Sequence, residues 1–269
     1  MIELDKDKFL NILREVIYRL TGNYYPDERL KMLEYKLDNL ISDIKDYGAG
    51  VEDVLYKIQK DEDLKKKLIN LVTVPETRFF REYEQLEVIR KYIFVKLKEG
   101  KGIIKTASIG CSTGEEAYTI AFILKDIKAD FKLVGMDINE IALEKAKEGK
   151  YPLKALSQIP ENFHKYVIKS GDFIEIKKEI KESVTFKTVN LTEERHFENM
   201  KDEFDAVFCR NVLIYFDRNS KKKAIDNLCR IIKPYGYLIL SATEMLTAEF
   251  KEGFETVRYE KFLFYRKVA

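Results

Sequence analysis

Histidine is nearly absent from this 269-residue chain, with only His164 and His196, and tryptophan is missing altogether. The three cysteines, Cys111, Cys209 and Cys229, form no Cys-x-x-Cys pair, and the two histidines stand far apart. A structural zinc site therefore has no ligand set in the pattern, and no metal is expected. The cysteines read as reduced, mostly buried small hydrophobes. Long hydrophobic runs are lacking too: no stretch approaches the ~18 uninterrupted apolar residues of a membrane-crossing helix. The opening Met1-Ile2-Glu3-Leu4-Asp5-Lys6 lacks the basic-then-apolar order of a secretory signal, so the expected location is the cytosol. Nor is there an excess of one charge. Lys and Arg number 48 against 46 Asp and Glu, and a net +2 makes no overall case for nucleic acid or an anionic membrane.

What the chain does have is core material. Apolar residues make up 45%, enough for one large domain or a small domain plus a medium one. The first 72 residues read as helical. Phe9, Ile12, Leu13, Val16, Ile17 and Leu20 fall on one helical face, which Thr21-Gly22-Asn23 ends. Pro26 suits a first helical turn before Leu30, Leu33, Leu37, Leu40, Ile41 and Ile44. Gly48 and Gly50 break the chain, and two short helices follow. From about residue 103, strands and helices alternate. Strands are expected at Ile103 to Ile109, Phe131 to Met136, Val184 to Val189, Ala206 to Cys209 and Tyr237 to Ser241. Helices are expected at Glu115 to Lys125, Glu140 to Glu148 and Ala224 to Ile232, with Pro234-Tyr235-Gly236 as a turn. Thr256 to Tyr259 and Phe262 to Arg266 pair as a hairpin. Such alternation predicts a mostly parallel sheet with helices on both faces, and ligands beyond the carboxyl ends of its strands.

Four segments at those ends carry chemistry. In Gly110-Cys111-Ser112-Thr113-Gly114-Glu115-Glu116, glycines let the backbone turn tightly beside a ligand. The acids oppose a diphosphate and suit a cation such as a sulfonium; equally, they complement a helix N-terminus. Asp137 ends the second strand, where an acid accepts hydrogen bonds from both hydroxyls of a ribose or caps the next helix. Arg210-Asn211 closes an apolar strand, and a polar pair there is costly as mere core, which favours a ligand role. Thr77-Arg78-Phe79-Phe80-Arg81-Glu82 is a hinge with solvated charges or a lid over the crevice. The string Gly110 to Gly114 also fits Gly-x-Ser-x-Gly, a serine-hydrolase elbow with Ser112 as nucleophile and His164 or His196 as base. The acids after the loop argue against that reading.

Together, Thr77 to Glu82, Gly110 to Tyr118 and Cys209-Arg210-Asn211-Val212-Leu213-Ile214-Tyr215-Phe216-Asp217 resemble the chemotaxis receptor glutamate methyltransferases, the CheR family. They occur in the family's order and spacing over nearly the whole chain. The resemblance implies an α/β fold: a Rossmann-like S-adenosylmethionine-dependent methyltransferase with a small N-terminal all-α domain and an inserted antiparallel β-subdomain. The implied domains are 1–73 (helical), 74–90 (linker with cofactor-site residues) and 91–269 (methyltransferase), with the β-subdomain at about 163–187. Its extended segments would be Phe163 to Ile168, Phe173 to Ile176 and Val184 to Val189.

The implied activity is methyl ester formation on glutamates of methyl-accepting receptors, with Arg81 and Tyr215 as catalytic residues. Thr77, Arg81, Gly110 and Glu116 would line the S-adenosylmethionine site. Asp137 would hold the ribose, Asn190 and Leu191 the adenine, and Asn211 and Val212 the methionine part. Pro75 stands where many members carry Asn, which leaves that contact unassigned. The implied partner is the receptor's cytoplasmic helical domain, docked partly through Arg29, Lys31 and Lys36; no nucleic acid or membrane insertion is expected, and the enzyme would be a monomer. Relatives that tether to a receptor's C-terminal pentapeptide carry a glycine-rich loop in the β-subdomain. Here Lys169-Ser170-Gly171-Asp172 is short, so a pentapeptide-independent enzyme is expected. A non-catalytic signalling adaptor is the other alternative, although no motif position is ruined.

Overall fold

The structure, a computed structural model, describes residues 6–44, 50–100 and 102–269. Four helices open the chain: α1 (Lys6–Thr21), α2 (Leu30–Ile44), α3 (Val51–Lys60) and α4 (Glu62–Val72). Their apolar faces meet in one cluster that includes Leu13, Val16, Ile17, Leu33, Leu37, Val54, Ile58, Leu68 and Val72. Pro26 does not begin α2. A single 3-10 turn, Asp27–Arg29, intervenes, and α2 starts at Leu30. Gly48 lies outside the described residues.

A short α5 (Tyr83–Val88), a π-helical turn (Ile89–Phe94) and α6 (Val95–Glu99) form one run whose Leu86, Ile89, Ile93 and Phe94 are buried against the sheet. The α/β part then follows as β1 (Ile104–Ile109), α7 (Glu115–Asp126), β2 (Phe131–Asp137), α8 (Glu140–Glu148), β3 (Lys150–Pro152), β4 (Val167–Ser170), β5 (Phe173–Ile176), α9 (Lys178–Lys181), β6 (Val184–Thr188), β7 (Phe204–Phe208), α10 (Arg218–Ile231), β8 (Ile232–Ile239), β9 (Phe254–Tyr259) and β10 (Phe262–Lys267). The main sheet runs β6-β2-β1-β7-β8-β10-β9, its first five strands parallel and the terminal hairpin antiparallel. Successive side chains alternate between its faces. In β7, Ala206 and Phe208 join one core and Val207 the other, while Phe204, before a register shift, lies on the side of Val207. Chain order reverses between β1 and β7, which opens a crevice at their carboxyl ends.

Two expectations change. The small antiparallel sheet is β3-β5-β4, so Lys150–Pro152 supplies its third strand. Val184–Thr188 pairs with β2 at the edge of the main sheet, as expected of a main-sheet strand, and does not join the subdomain, while Phe163 lies in a 3-10 turn. Second, Pro234-Tyr235-Gly236 is no free turn but a bulge inside β8: Phe204 pairs with Ile232 and Ala206 with Tyr237. Proline's missing N–H is tolerated at such an irregularity. Helix α10 also begins earlier than expected, because Asp217 caps it by accepting from Ser220 N at 2.8 Å.

Hydrogen bonds fasten the helices onto the α/β part beside the crevice. Asn190 Nδ2 donates to Leu20 O (2.9 Å), Tyr24 N to Tyr215 O (2.9 Å) and Asn139 Nδ2 to Thr73 Oγ1 (2.8 Å). Gly22, at φ +76°, sits where a Cβ would meet Thr192 Cγ2 at 2.5 Å, so the end of α1 closes tightly on the loop after β6.

Candidate active site

The loop after β1 reverses direction through three residues of positive φ, Gly110 (68°), Ser112 (50°) and Gly114 (93°). A Cβ on Gly110 would run into Val212 Cγ2, so the loops after β1 and β7 touch. Beyond this contact lies a cavity lined by Thr77, Arg81, Gly110, Glu116, Asp137, Asn190, Leu191, Asn211, Val212 and Tyr215. All ten residues expected at the site therefore surround one space. Thr21, Asn23, Ser112 and Asn139 line it as well.

The environment decides several open choices. Asp137 does not cap α8. Asn139 does, accepting from Ala142 N at 3.1 Å. The Asp137 carboxylate accepts instead from Ser112 N and Asn139 N, each at 2.8 Å, one on each oxygen. Those two bonds fix its plane and leave each oxygen further acceptor capacity. Burial pushes its pKa up, and the backbone donors oppose this. Of the two acids on α7, Glu116 lines the cavity. Glu115 turns back to accept from Thr113 Oγ1 at 2.6 Å. Burial raises both carboxyls, and for Glu116 the neighbouring Arg210 and the Ser108 hydroxyl pull back down.

Asn211 holds φ +60°, a conformation asparagine tolerates better than most residues, and its N–H donates to Glu244 Oε2 at 2.6 Å. Arg210 lines the cavity together with Asn211, but its guanidinium is engaged by the protein itself. Its guanidinium is only 2% exposed and is spent on Glu82 and Glu116. Asn190 likewise is committed: its carboxamide donates to Leu20 O and accepts from Thr192 N and Oγ1. It braces the wall rather than offering free polar atoms. Arg81 donates to Glu76 O at 3.2 Å and has no ion pair among the described residues. Tyr215 is half-buried, and burial raises its pKa with Glu76 adding to the shift, so its hydroxyl stays protonated.

The hydrolase reading finds no catalytic pair. Ser112 Oγ is buried without a partner, His164 Nε2 bonds Ile159 O at 2.8 Å, and His196 Nδ1 accepts from Asn190 N at 3.0 Å. Thr21 and Asn23 carried no signal in the sequence, since they reach the cavity only because α1 docks there. Ser112 was visible, but as a nucleophile; it lines the cavity, and its backbone N–H holds Asp137.

The donors and acceptors fit a nucleoside with a cationic tail. The cavity wall holds the fixed carboxyl of Asp137, the apolar Val189 and Leu191, and the carboxyl of Glu116. Among the described residues no helix is long and apolar enough to cross a membrane. Residues 75–263 match the family model described as "CheR methyltransferase, SAM binding domain". A chemotaxis protein methyltransferase of Campylobacter jejuni is 31% identical over 266 residues, covering 96% of this chain and 97% of that protein. One from Borreliella burgdorferi is 28% identical over 259 residues, covering 91% and 90%. The chain belongs to the CheR methyltransferase family, and its cofactor is S-adenosylmethionine.

Proposed function

We propose that this enzyme esterifies glutamate side chains on the helical cytoplasmic domain of chemotaxis receptors. The observation that carries this reading is Arg81: a guanidinium at the cavity, beside Tyr215, with no carboxylate of the protein itself paired to it among the described residues. Such a group is available to an incoming anion, and its planar fork matches a carboxylate. The cofactor supplies a methyl group already activated on a sulfonium. The acceptor, with a reference pKa near ~4.3, is ionised at neutral pH, so no base is required. Bound here, the cofactor would supply its methyl to the carboxylate oxygen, and the electrons of the broken carbon–sulfur bond would neutralise the sulfur. No proton moves, which accords with two histidines occupied elsewhere.

The protein's work is then alignment, worth up to roughly 7–11 kcal/mol in favourable cases. In this reading Arg81 and Tyr215 orient the acceptor. Asp137 holds the ribose, Leu191 and Asn190 wall the adenine, and Thr77, Gly110, Glu116, Asn211 and Val212 surround the methionine part. Residues 1–73 form the receptor-facing domain, with Arg29 exposed close to Tyr215. Incubation with tritium-labelled donor and receptor cytoplasmic fragments should give base-labile methyl esters. Cofactor binding without any ester would favour the signalling adaptor.

The hairpin of the small sheet supports tether-free recognition. Ser170 pairs with Phe173, so only Gly171 and Asp172 turn the chain, with Gly171 at φ +57°. A two-residue turn has little backbone with which to shape a peptide pocket. Methylation of one receptor with and without its last five residues should proceed at similar rates, and a large loss on truncation would refute this.

A further inference from the structure

In the cavity wall, Arg210 ties Glu116 to Glu82 and to the backbone of Arg81, and the cofactor contacts above assign no role to that link. Arg210 Nη2 donates to the backbone carbonyl of Arg81 (2.7 Å) and to Glu82 Oε2 (2.9 Å), and its Nη1 donates to Glu116 Oε2 (3.1 Å). Glu116 Oε1 accepts from Ser108 Oγ at 2.7 Å, and Glu82 Oε2 accepts also from Ala242 N at 3.0 Å. One guanidinium thus joins the segment before α5, the start of α7 and the loops after β7 and β8.

Stability alone is a poor account of such a cluster. Two carboxylates and one guanidinium leave a net negative charge in a place where apolar side chains of similar volume commonly do as well. The backbone it holds is unusual too. Phe80 (φ 51°) and Glu82 (φ 57°) are both left-handed and stand on either side of Arg81. Non-glycine residues keep that conformation only where their surroundings insist on it. Thr119 Oγ1 holds Phe80 by accepting from its N–H at 3.1 Å, and Arg210 grips Arg81 O and the Glu82 carboxylate on the other side, so Arg81 is fixed at the cavity between them.

We propose that Arg210 is the positioning residue of the transfer: one planar fork fixes the backbone of the acceptor-gripping Arg81 and the carboxylate of the donor-facing Glu116, and so sets the separation between the two substrates. This rests on the methyl transfer proposed above. Lysine cannot replace it, because an ammonium is a point charge without a fixed fork.

Two variants separate positioning from simple support. Arg210→Lys keeps the charge and the fold, and its kcat should fall about tenfold to a hundredfold, the penalty of small misplacements at a reacting centre. Its affinity for S-adenosylhomocysteine should change far less. The double variant Arg210→Met with Glu82→Gln removes one charge of each sign. The groups facing Glu116 are Arg210, Glu82, the Ser108 hydroxyl and the neutral thiols of Cys111 and Cys209. Arg210's pull on the Glu116 carboxyl exceeds Glu82's push, so its pKa climbs further in the double variant. Affinity for S-adenosylhomocysteine, measured by calorimetry from about pH 6 to about pH 9, should then rise with pH more steeply than in the wild type. Wild-type kcat in Arg210→Lys, or a double variant whose pH profile runs parallel to the wild type, would overturn the proposal. If the double variant does not fold, the kcat of Arg210→Lys decides. A wild-type protein that binds the product but methylates no receptor would sink the proposed function, while the pH comparison would still judge the hold on Glu116.

Discussion

Replacing Asp137 by alanine should separate ligand binding from folding. Its oxygens accept from Ser112 N and Asn139 N at 2.8 Å, and their remaining lone pairs face the cavity. Two ribose hydroxyls bonded to a charged acceptor are worth about 1.5–3 kcal/mol each. Together they weaken binding of S-adenosylhomocysteine by about 10²–10⁴-fold when lost. Asn139→Ala is the matched control, two residues away on the same wall. It loses the α8 cap, which costs about 1 kcal/mol. It also loses the bonds to Thr73 Oγ1 (2.8 Å) and Asn70 Oδ1 (3.2 Å) that fasten α4 to the α/β part. With these the stability loss reaches about 2–3 kcal/mol. Its affinity for the product should stay within about tenfold of the wild type. Calorimetry gives the affinities and urea unfolding the stabilities. If Asn139→Ala weakens binding more than Asp137→Ala does, or if Asp137→Ala binds like the wild type, the assignment of these two residues is wrong.

Arg81→Ala should nearly abolish ester formation with an unchanged circular dichroism spectrum. Tyr215→Phe should lower kcat more than it weakens cofactor binding, and normal rates in both would remove their proposed roles. Gly110→Ala forces a Cβ into Val212 at φ +68°, so it should cost about 1–3 kcal/mol and weaken product binding; a wild-type melting temperature and affinity would contradict the packing argument. Burial raises the carboxyls of Asp137 and Glu116, so the stability they contribute is fullest below their unfolded values and is lost as pH rises through the folded ones. Hydroxyl and ammonium donors of a bound ligand favour the ionised forms, so the melting-temperature increase from saturating S-adenosylhomocysteine should grow from about pH 5 to about pH 8; a larger increase in acid would reverse the sign.

Much of this architecture was legible along the chain because it rests on local periodicity. The α1 face of Phe9, Leu13, Val16 and Ile17 is buried as its spacing implies. The apolar runs of β1, β2 and β7 sit inside the parallel sheet, where both faces are covered. The loop from Gly110 to Glu116 announced a tight turn through its glycines. Lys150–Pro152 escaped notice because three residues carry no period, and their pairing with β5 is a long-range event.

What stayed undecided was the use of residues whose chemistry suits two tasks. An acid at the end of β2 satisfies a helix cap or a ribose equally well. Asn139 takes the cap in space, which leaves the Asp137 carboxyl beside the cavity. Arg210 and Asn211 are chain neighbours that both line the cavity, and composition cannot say that the first is held there by Glu82 and Glu116. Thr21 and Asn23 reach the cavity through the docking of a separate helical cluster onto the sheet's carboxyl edge. Periodicity is a property of consecutive residues and so is written in the sequence. The partner a side chain finds depends on groups tens to hundreds of residues away, and only the packed chain brings them within hydrogen-bonding distance.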